Sequence, residues 1–221
     1  MMGEKDEVKK YLEPDVLCDS GSPTIKAKSE ELTRNAKDQA EAAVNIFYFV
    51  RDSIKFALTP FGKKASRTLF EKQGFCVSCA NLQVALCRAA GIPARYHVAE
   101  AKKTVFKNIF PGPLYLVTPP GLKPHAWCEV YLRGKWTAAE SVYDKPFYEG
   151  LLRAGILTKE QIPDIDWDGE KDCITQSRNF WIRKDIGTTQ SMKISPLLIA
   201  FSLLIPYFPI NMRFERIRRS H

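Results

Sequence analysis

Apolar residues occupy almost every side of the segment from Cys76 to Ala90, which contains neither glycine nor proline. Alanine and leucine, both strong helix formers, are frequent in it, so the pattern predicts a helix that is buried on all sides. Gly91 suits the position just past a helix end, and Pro93 prevents the helix from continuing. Cys76 is therefore expected at the amino end of a buried helix, where unpaired backbone N–H groups and the helix dipole favour a thiolate.

The spacing of apolar positions predicts further helices around this one. Apolar residues recur every three to four positions over residues 38–54, which is typical of an amphipathic helix. Shorter helices are predicted over residues 25–35, 67–72 and 147–154, and Ser66 is a candidate cap for the second of them.

A β-hairpin is predicted after these helices. Apolar and polar residues alternate over 125–132, which indicates a strand with one face formed by His125, Trp127, Glu129 and Tyr131. Gly134 lies in a tight turn, and residues 135–142 are expected to return antiparallel to the first strand.

The hairpin pairing brings two carboxylates towards His125. Trp127 is expected opposite Glu140, so that Glu140 and Asp144 are the diagonal neighbours of His125 on its own face. Such neighbours are about 7–8 Å apart at the backbone, and a carboxylate side chain of either residue can reach the imidazole. The alternation does not choose between them; Glu140 is favoured because the strand is expected to end before Pro146.

A third strand and a long loop are predicted between the buried helix and the hairpin. Residues 94–101 have the composition of a strand, in which His97 is interpreted as structural. Residues 102–124 contain two proline- and glycine-rich clusters and are expected to form either a functional loop, such as a lid or cleft wall, or a surface hairpin.

The carboxyl-terminal segment from Ile194 to Ile210 carries no charged residue. It is near the lower limit of length for crossing a bilayer, and two prolines interrupt it. We expect a terminal helix docked on the core or on a dimer surface; the alternative is a membrane anchor or interfacial membrane contact. The predicted organisation is an arm over 1–24, a globular domain over 25–190 and an apolar, then basic, segment over 191–221.

Composition adds limits on the class of protein. The 221 residues are 45% hydrophobic, enough for one sizeable core, and the formal net charge is +8. A basic tail can meet nucleic acid, anionic lipid or an acidic protein, but a nucleic-acid partner is not expected because no zinc-finger or RNA-binding motif is present. The amino terminus lacks the apolar region of a secretion signal, and the six cysteines are too sparse for a disulfide scaffold, so a cytoplasmic setting is expected.

Three residue types then suggest one chemistry. Cys76, His125 and a carboxylate follow one another along the chain as nucleophile, base and orienting acid, the set that acyl transfer through a thioester requires. Such a catalytic triad needs no cofactor and no metal, and none is expected.

The same residues lie in two motifs that resemble those of the transglutaminase-like superfamily. The first, GFC with RAAGIPAR after it, covers 74–95; the second, HAW-EVY with Gly134 and Trp136, begins at His125. The resemblance implies a papain-like fold and a peptide or protein substrate, with Cys76 as nucleophile and His125 as general base. The family usually has an aspartate, within Asp-Pro-Thr, where this chain has Glu140.

The resemblance also implies acyl-thioester chemistry, with a peptidase or amidase favoured over a cross-linking enzyme. Backbone N–H groups at the helix start are expected to stabilise the oxyanion. Gln73 is a further candidate donor, and Trp127, also a candidate substrate contact, more often belongs to the packing around such a site.

Three alternatives remain open from the sequence. Cys76 and Cys79, with His125 and Cys128, have spacings compatible with a zinc site. The Cys76-x-x-Cys79 pair could be a redox motif, although the segment before it is predicted as helix rather than strand. The chain could also be a catalytically degenerate module that binds a peptide or a membrane.

Overall fold

A computed structural model describes residues 4–107, 110, 112–118, 120–162, 164–174, 181–205 and 207–220 of the chain. The helices are α1 (Glu4–Lys9), α2 (Pro23–Thr33), α3 (Gln39–Ser53), α4 (Ala65–Glu71), α5 (Cys76–Ala89), α6 (Gly112–Val117), α7 (Lys145–Arg153), α8 (Pro196–Ser202) and α9 (Tyr207–Arg218). The strands are β1 (Lys55–Phe56), β2 (Gln73–Gly74), β3 (Ala94–Lys102), β4 (Gly121–Leu132), β5 (Lys135–Ala139) and β6 (Ile182–Thr189). The predicted α+β class, with a buried helix packed on an antiparallel sheet, is confirmed.

The sheet has the strand order β5-β4-β3-β6, and neighbouring strands run antiparallel. One face of β4, formed by Ala126, Cys128 and Val130, belongs to the main core that α5 fills. The other face carries Trp127, which packs in a smaller cluster with Ala99 of β3. The alternation that predicted β4 from the sequence therefore corresponds to two separately packed faces.

The long segment between β3 and β4 is more regular than expected. A 3-10 turn, Lys103–Phe106, follows β3, and α6 precedes β4. The strand begins at Gly121 rather than at His125, because Gly121 pairs with Lys102 and so extends the ladder with β3. Residues 108, 109, 111 and 119 lie outside the described ones.

Helix α4 begins earlier than the sequence indicated. The predicted cap, Ser66, lies inside the first turn, and Lys64 precedes the helix. The carboxylate of Asp19 accepts from the backbone N–H of Ser66 at 3.0 Å and from its hydroxyl at 2.5 Å. A side chain distant in sequence thus satisfies one of the donors that the first helical turn leaves unpaired.

Two buried polar residues of α5 hold the amino-terminal arm. Arg88 donates to the carbonyl oxygens of Glu13 at 2.6 Å and Gln190 at 2.7 Å. Asn81 donates to the carbonyl oxygen of Leu17 at 2.9 Å. Because buried donors without partners are costly, these bonds fix both termini of the domain against its central helix.

The carboxyl-terminal helices pack on the domain. Phe214 of α9 is 1% exposed and lies 5.1 Å from the ring of Phe147 in α7. The two helices approach closely at Gly150, where a Cβ would be only 2.1 Å from the carbonyl oxygen of Ile217. Along the parts of the chain that the structure describes, every helix is too short or too polar to cross a bilayer. Membrane anchoring of the segment Ile194–Ile210 thus gains no support.

Candidate active site

Cys76 is the first residue of α5, and close packing fixes the chain on its way there. Gly74 ends β2, which pairs in parallel with β1, and a Cβ at Gly74 would come within 2.7 Å of Ser78 Cβ. Phe75 is buried and meets the ring of Phe61 edge-on, with 4.9 Å between centroids. The direction from which the chain enters α5, and with it the position of the Cys76 sulfur, is therefore set on both sides.

The backbone N–H groups in the first turn of α5 are available as hydrogen-bond donors at the candidate site. Phe75, the residue that precedes the helix, has no side chain that caps these N–H groups. Such groups have no partner inside a helix, and the positive end of the helix dipole lies at the same place. The turn can stabilise a thiolate on Cys76 or an oxyanion bound next to it.

Cys76 differs from the other cysteines in exposure. All six thiols are free, and five of them are buried, whereas Cys76 is partly exposed. Burial raises the pKa of the Cys79 thiol, and it also raises that of Cys128. A reagent in solution therefore meets one cysteine that combines access with an activating environment.

His125 lies on β4 directly opposite Ala99 of β3. Its side chain is 4% exposed, and its Nε2 is 3.1 Å from Oε1 of Glu140, whose side chain is 1% exposed. The contact is an ion pair rather than an aligned hydrogen bond. Because Nε2 faces Glu140, Nδ1 is the ring nitrogen left to Cys76.

The charge on His125 follows from its neighbours. Burial alone would lower the pKa of this imidazole, but the Cys76 sulfur, which also hydrogen-bonds to it, and the Glu140 carboxylate raise the pKa to about 10. The imidazole is then protonated at neutral pH and can act as a proton donor next to Cys76.

Glu140 reaches His125 from a strand that ends earlier than predicted. Tyr131 pairs with Trp136 as expected, but the ladder between β4 and β5 ends at the pair Cys128–Ala139, so the expected Trp127–Glu140 pair does not form. The backbone N–H of Glu140 donates instead to the carbonyl oxygen of Cys173 at 2.9 Å. Glu140 thus leaves the sheet ladder while its side chain turns towards the imidazole.

Asp144, the other predicted candidate for the acid, has a different role. It caps α7 by accepting from the N–H of Phe147 at 3.0 Å, and it accepts from the N–H of Phe56 at 2.7 Å. Its carboxylate also forms an ion pair with Arg218 of α9 at 2.6 Å. These contacts assign Asp144 to the docking of α7 and α9, away from His125.

The two predicted substrate contacts have contrasting surroundings. Gln73 is exposed and pairs with Lys55 in the short parallel sheet. Trp127 is 1% exposed, and its ring lies 5.7 Å from that of His125. The burial of Trp127 favours a supporting role under the imidazole, as its motif position also indicated, and the role of Gln73 stays a prediction.

The geometry opposes the zinc alternative. Cys128 hydrogen-bonds to Cys87 on the core face of β4, whereas His125 projects from the opposite face. Within the described ranges, His, Cys, Asp and Glu side chains nowhere gather in a group of three that could hold a metal ion. The redox alternative gains nothing either, because Cys79 is buried and its pKa is raised.

Sequence reasoning missed the groups that hold Glu140 in place. Ser141 donates its hydroxyl to Oε1 of Gln83 in α5 at 2.6 Å, which ties the end of the hairpin to the nucleophile helix. Cys173 accepts from the N–H of Glu140 and donates to the carbonyl oxygen of Ala138. The polar side chain of Gln83 in a helix predicted to be buried on all sides was an available signal, but nothing in the sequence identified Cys173.

A narrow crevice that is too small to hold a water molecule lies where these elements meet. Its walls are formed by the start of α5, by β4 and by the residues that follow β5, and they include Cys76, Trp127, Glu140 and Ser141. The candidate catalytic groups are therefore packed together with little free space, and Cys76 is partly exposed to solvent.

Comparisons with known proteins identify the family and the fold. A family model described as the transglutaminase-like superfamily matches residues 26–141, a span that includes Cys76, His125 and Glu140. A candidate cysteine protease from Cytophaga hutchinsonii has a similar structure, with a TM-score of 0.54 and 19% identity over 84% of this chain and 47% of that one. No curated protein matches the chain.

A second solved structure, the periplasmic domain of TgpA from Pseudomonas aeruginosa, gives a TM-score of 0.46 at 18% identity over 63% of this chain and 48% of that one. The chain spans about half the length of either protein, 47% and 48% respectively. At 19% sequence identity, the likeness to the Cytophaga hutchinsonii protein shows the fold alone. It is the papain-like fold that the sequence motifs implied.

Proposed function

Because the chain belongs to the transglutaminase-like superfamily, we propose that it is a cysteine-dependent enzyme acting on amide bonds of peptides or proteins through a thioester. The observation that carries the proposal is the grouping of the partly exposed Cys76, at the amino end of α5, with a buried His125 that is paired with Glu140. Nucleophile, base and orienting acid are the groups that acyl transfer requires.

The first half of the proposed reaction forms the acyl-enzyme. The thiolate of Cys76 attacks the amide carbonyl carbon, and the N–H groups of the first turn of α5 stabilise the oxyanion that results. The proton held on His125 then passes to the departing amine, and the C–N bond breaks as the carbonyl re-forms. Glu140 keeps the imidazole oriented and stabilises its charged form.

The second half releases the acyl group. Now neutral, His125 takes a proton from an attacking water, whose oxygen adds to the thioester carbonyl. Collapse of this second oxyanion breaks the C–S bond and restores the thiolate and the imidazolium. An amine in place of water would give a new amide; we propose hydrolysis as the main reaction, since water needs no acceptor site.

Selective alkylation tests the proposed nucleophile. With iodoacetamide near neutral pH, we expect Cys76 to be labelled at least about tenfold faster than any other cysteine, because thiolates react and buried thiols do not. Mass spectrometry of the digested protein identifies the labelled residue. His125→Ala should slow the labelling, whereas Cys18→Ala, which removes a buried thiol outside the candidate site, is the matched control and should leave it unchanged.

The chemistry itself is tested with peptide libraries. Acid quenching followed by intact-mass measurement should detect an acyl adduct in the wild-type protein and none in Cys76→Ala. Added methylamine then distinguishes the two acceptors, because hydrolysis yields a carboxylic acid and aminolysis yields an N-methylamide. Equal labelling of all six cysteines, with no adduct from any library, would instead indicate a binding module without catalysis.

A further inference from the structure

A second buried histidine lies on the same face of the sheet as His125. His97 of β3 is directly opposite Trp127 of β4 and is 8% exposed. Its Nδ1 lies 2.9 Å from Oε1 of Glu129, and its Nε2 lies 2.7 Å from Oδ1 of Asp185 on β6. Both ring nitrogens therefore face carboxylate oxygens.

This environment favours the charged form of His97. A neutral imidazole donates from one nitrogen only, so a ring that faces two carboxylates is satisfied when both nitrogens carry hydrogen. Burial would lower the pKa of His97, but the hydrogen bonds to Glu129 and Asp185 outweigh it and raise the pKa. Arg95 forms an ion pair with Glu129 at 2.8 Å and adds a further positive charge next to this cluster.

The charged ring is stacked on the indole of Trp127. The two ring centroids are 4.2 Å apart, and the planes differ by 8°. A cation over the face of an indole is attracted by its quadrupole, most strongly where water is excluded. The same indole lies 5.7 Å from the imidazole of His125 at a tilt of 46°.

We propose that His97 is a positioning residue, which fixes the indole of Trp127 and through it the imidazole of His125 in the orientation that serves Cys76. This inference rests on the proposed function, since it assigns His97 to the same site. The carboxylates of Glu129 and Asp185 hold His97 from two neighbouring elements, so the ring cannot turn without losing an ion pair. In turn, Trp127 cannot rotate without losing its stacking partner.

Replacement of His97 tests the proposal through two readouts that need no substrate. The first is the rate at which iodoacetamide labels Cys76; the second is the midpoint of His125 protonation, followed by imidazole nitrogen NMR in a chain with three histidines. His97→Gln keeps a hydrogen-bonding group but loses the stacked cation. We expect it to slow labelling about five- to tenfold and to lower the His125 midpoint.

Two further variants separate positioning from general destabilisation. His97→Arg restores a planar cation that can stack on Trp127, and it should recover most of the labelling rate. In a Trp127→Leu background, His97→Gln should have little additional effect, because the residue that transmits its influence is gone. If His97→Gln does not fold, Asp185→Asn tests the same point, since the side chain of Asp185 is 48% exposed; a two- to threefold slowing, roughly, is then expected.

The outcomes are distinguishable from failure of the proposed function. If wild-type Cys76 is not selectively labelled and His125 titrates with an ordinary midpoint, the proposed function itself is wrong. If the wild type behaves as proposed but His97→Gln and Asp185→Asn lower only the thermal stability, leaving labelling and the His125 midpoint unchanged, the positioning role is overturned. Recovery by His97→Arg together with loss of the effect without Trp127 supports it.

Discussion

Nε2 of His125 lies 3.1 Å from Oε1 of Glu140, and both side chains are almost completely shielded from water. In such a place a carboxylate and an imidazolium stabilise one another far more than at the surface. The pair also uses the ring nitrogen that does not face Cys76, which leaves the other nitrogen for the chemistry. The glutamate therefore lies within reach of the imidazole, where an acid can orient the ring.

Removal of the charge on Glu140 should impair the site without removing its shape. Glu140→Gln takes away one of the groups that raise the pKa of His125, so the imidazole should lose its proton at lower pH than in the wild type. We expect the rate of Cys76 labelling, and of any peptide cleavage, to fall about 100-fold, the scale of a misplaced general acid–base. The rate of Cys76 labelling is measured by quenching the reaction at a series of times and analysing each sample by mass spectrometry. An unchanged rate would show that Glu140 does not act as the orienting acid.

Asp144 should behave in the opposite way. Asp144→Asn leaves the guanidinium of Arg218 without its buried ion-pair partner and weakens the cap of α7. The free energy of unfolding is expected to fall by about 3 kcal/mol, measured by urea denaturation. Labelling of Cys76 in the folded protein should match the wild type, because Asp144 lies away from His125; slower labelling would contradict this separation of roles.

The approach of α9 to α7 provides a test that is independent of catalysis. A Cβ on Gly150 would be 2.1 Å from the carbonyl oxygen of Ile217, so Gly150→Ala must push the two helices apart. We expect the midpoint of thermal unfolding to fall by several degrees, about 4 °C for each kcal/mol lost. Gly21→Ala is the matched control, since a Cβ there has no neighbour within 4 Å. Equal midpoints for both variants would mean that α9 is not docked as described.

Much of this fold was accessible from local patterns in the sequence. The apolar content of the segment after Cys76 predicted α5, alternation predicted β4, and composition predicted β3, since each pattern reflects what one element buries. The start of α4 was wrong because its cap is supplied by Asp19, a residue far away in sequence. The end of β5 was also wrong, because Cys173 replaces β4 as the partner of the chain there.

The residues of the candidate site also differ in whether the sequence could predict them. Position on a predicted element was enough to select Cys76 and His125, and both lie together in the structure. The choice between Glu140 and Asp144 could not be made from strand alternation, which treats both as diagonal neighbours of His125. It depended on tertiary contacts: Arg218 binds Asp144, whereas Ser141 and Gln83 anchor the chain beside Glu140.

The titration of His125 gives a direct test of the coupled pair formed with Cys76. Its pKa is raised to about 10, so the imidazolium should persist through neutral pH and disappear only as the pH rises through that value. Because the imidazolium donates the proton to the leaving amine, peptide cleavage should decline over the same alkaline range.

Cys76→Ala removes the sulfur, the strongest of the groups that raise the pKa of His125, so imidazole nitrogen NMR should show a lower midpoint in that variant. Cys18→Ala is again the control and should keep the wild-type midpoint. Identical titration of His125 in the wild type and in Cys76→Ala would show that the two side chains do not interact.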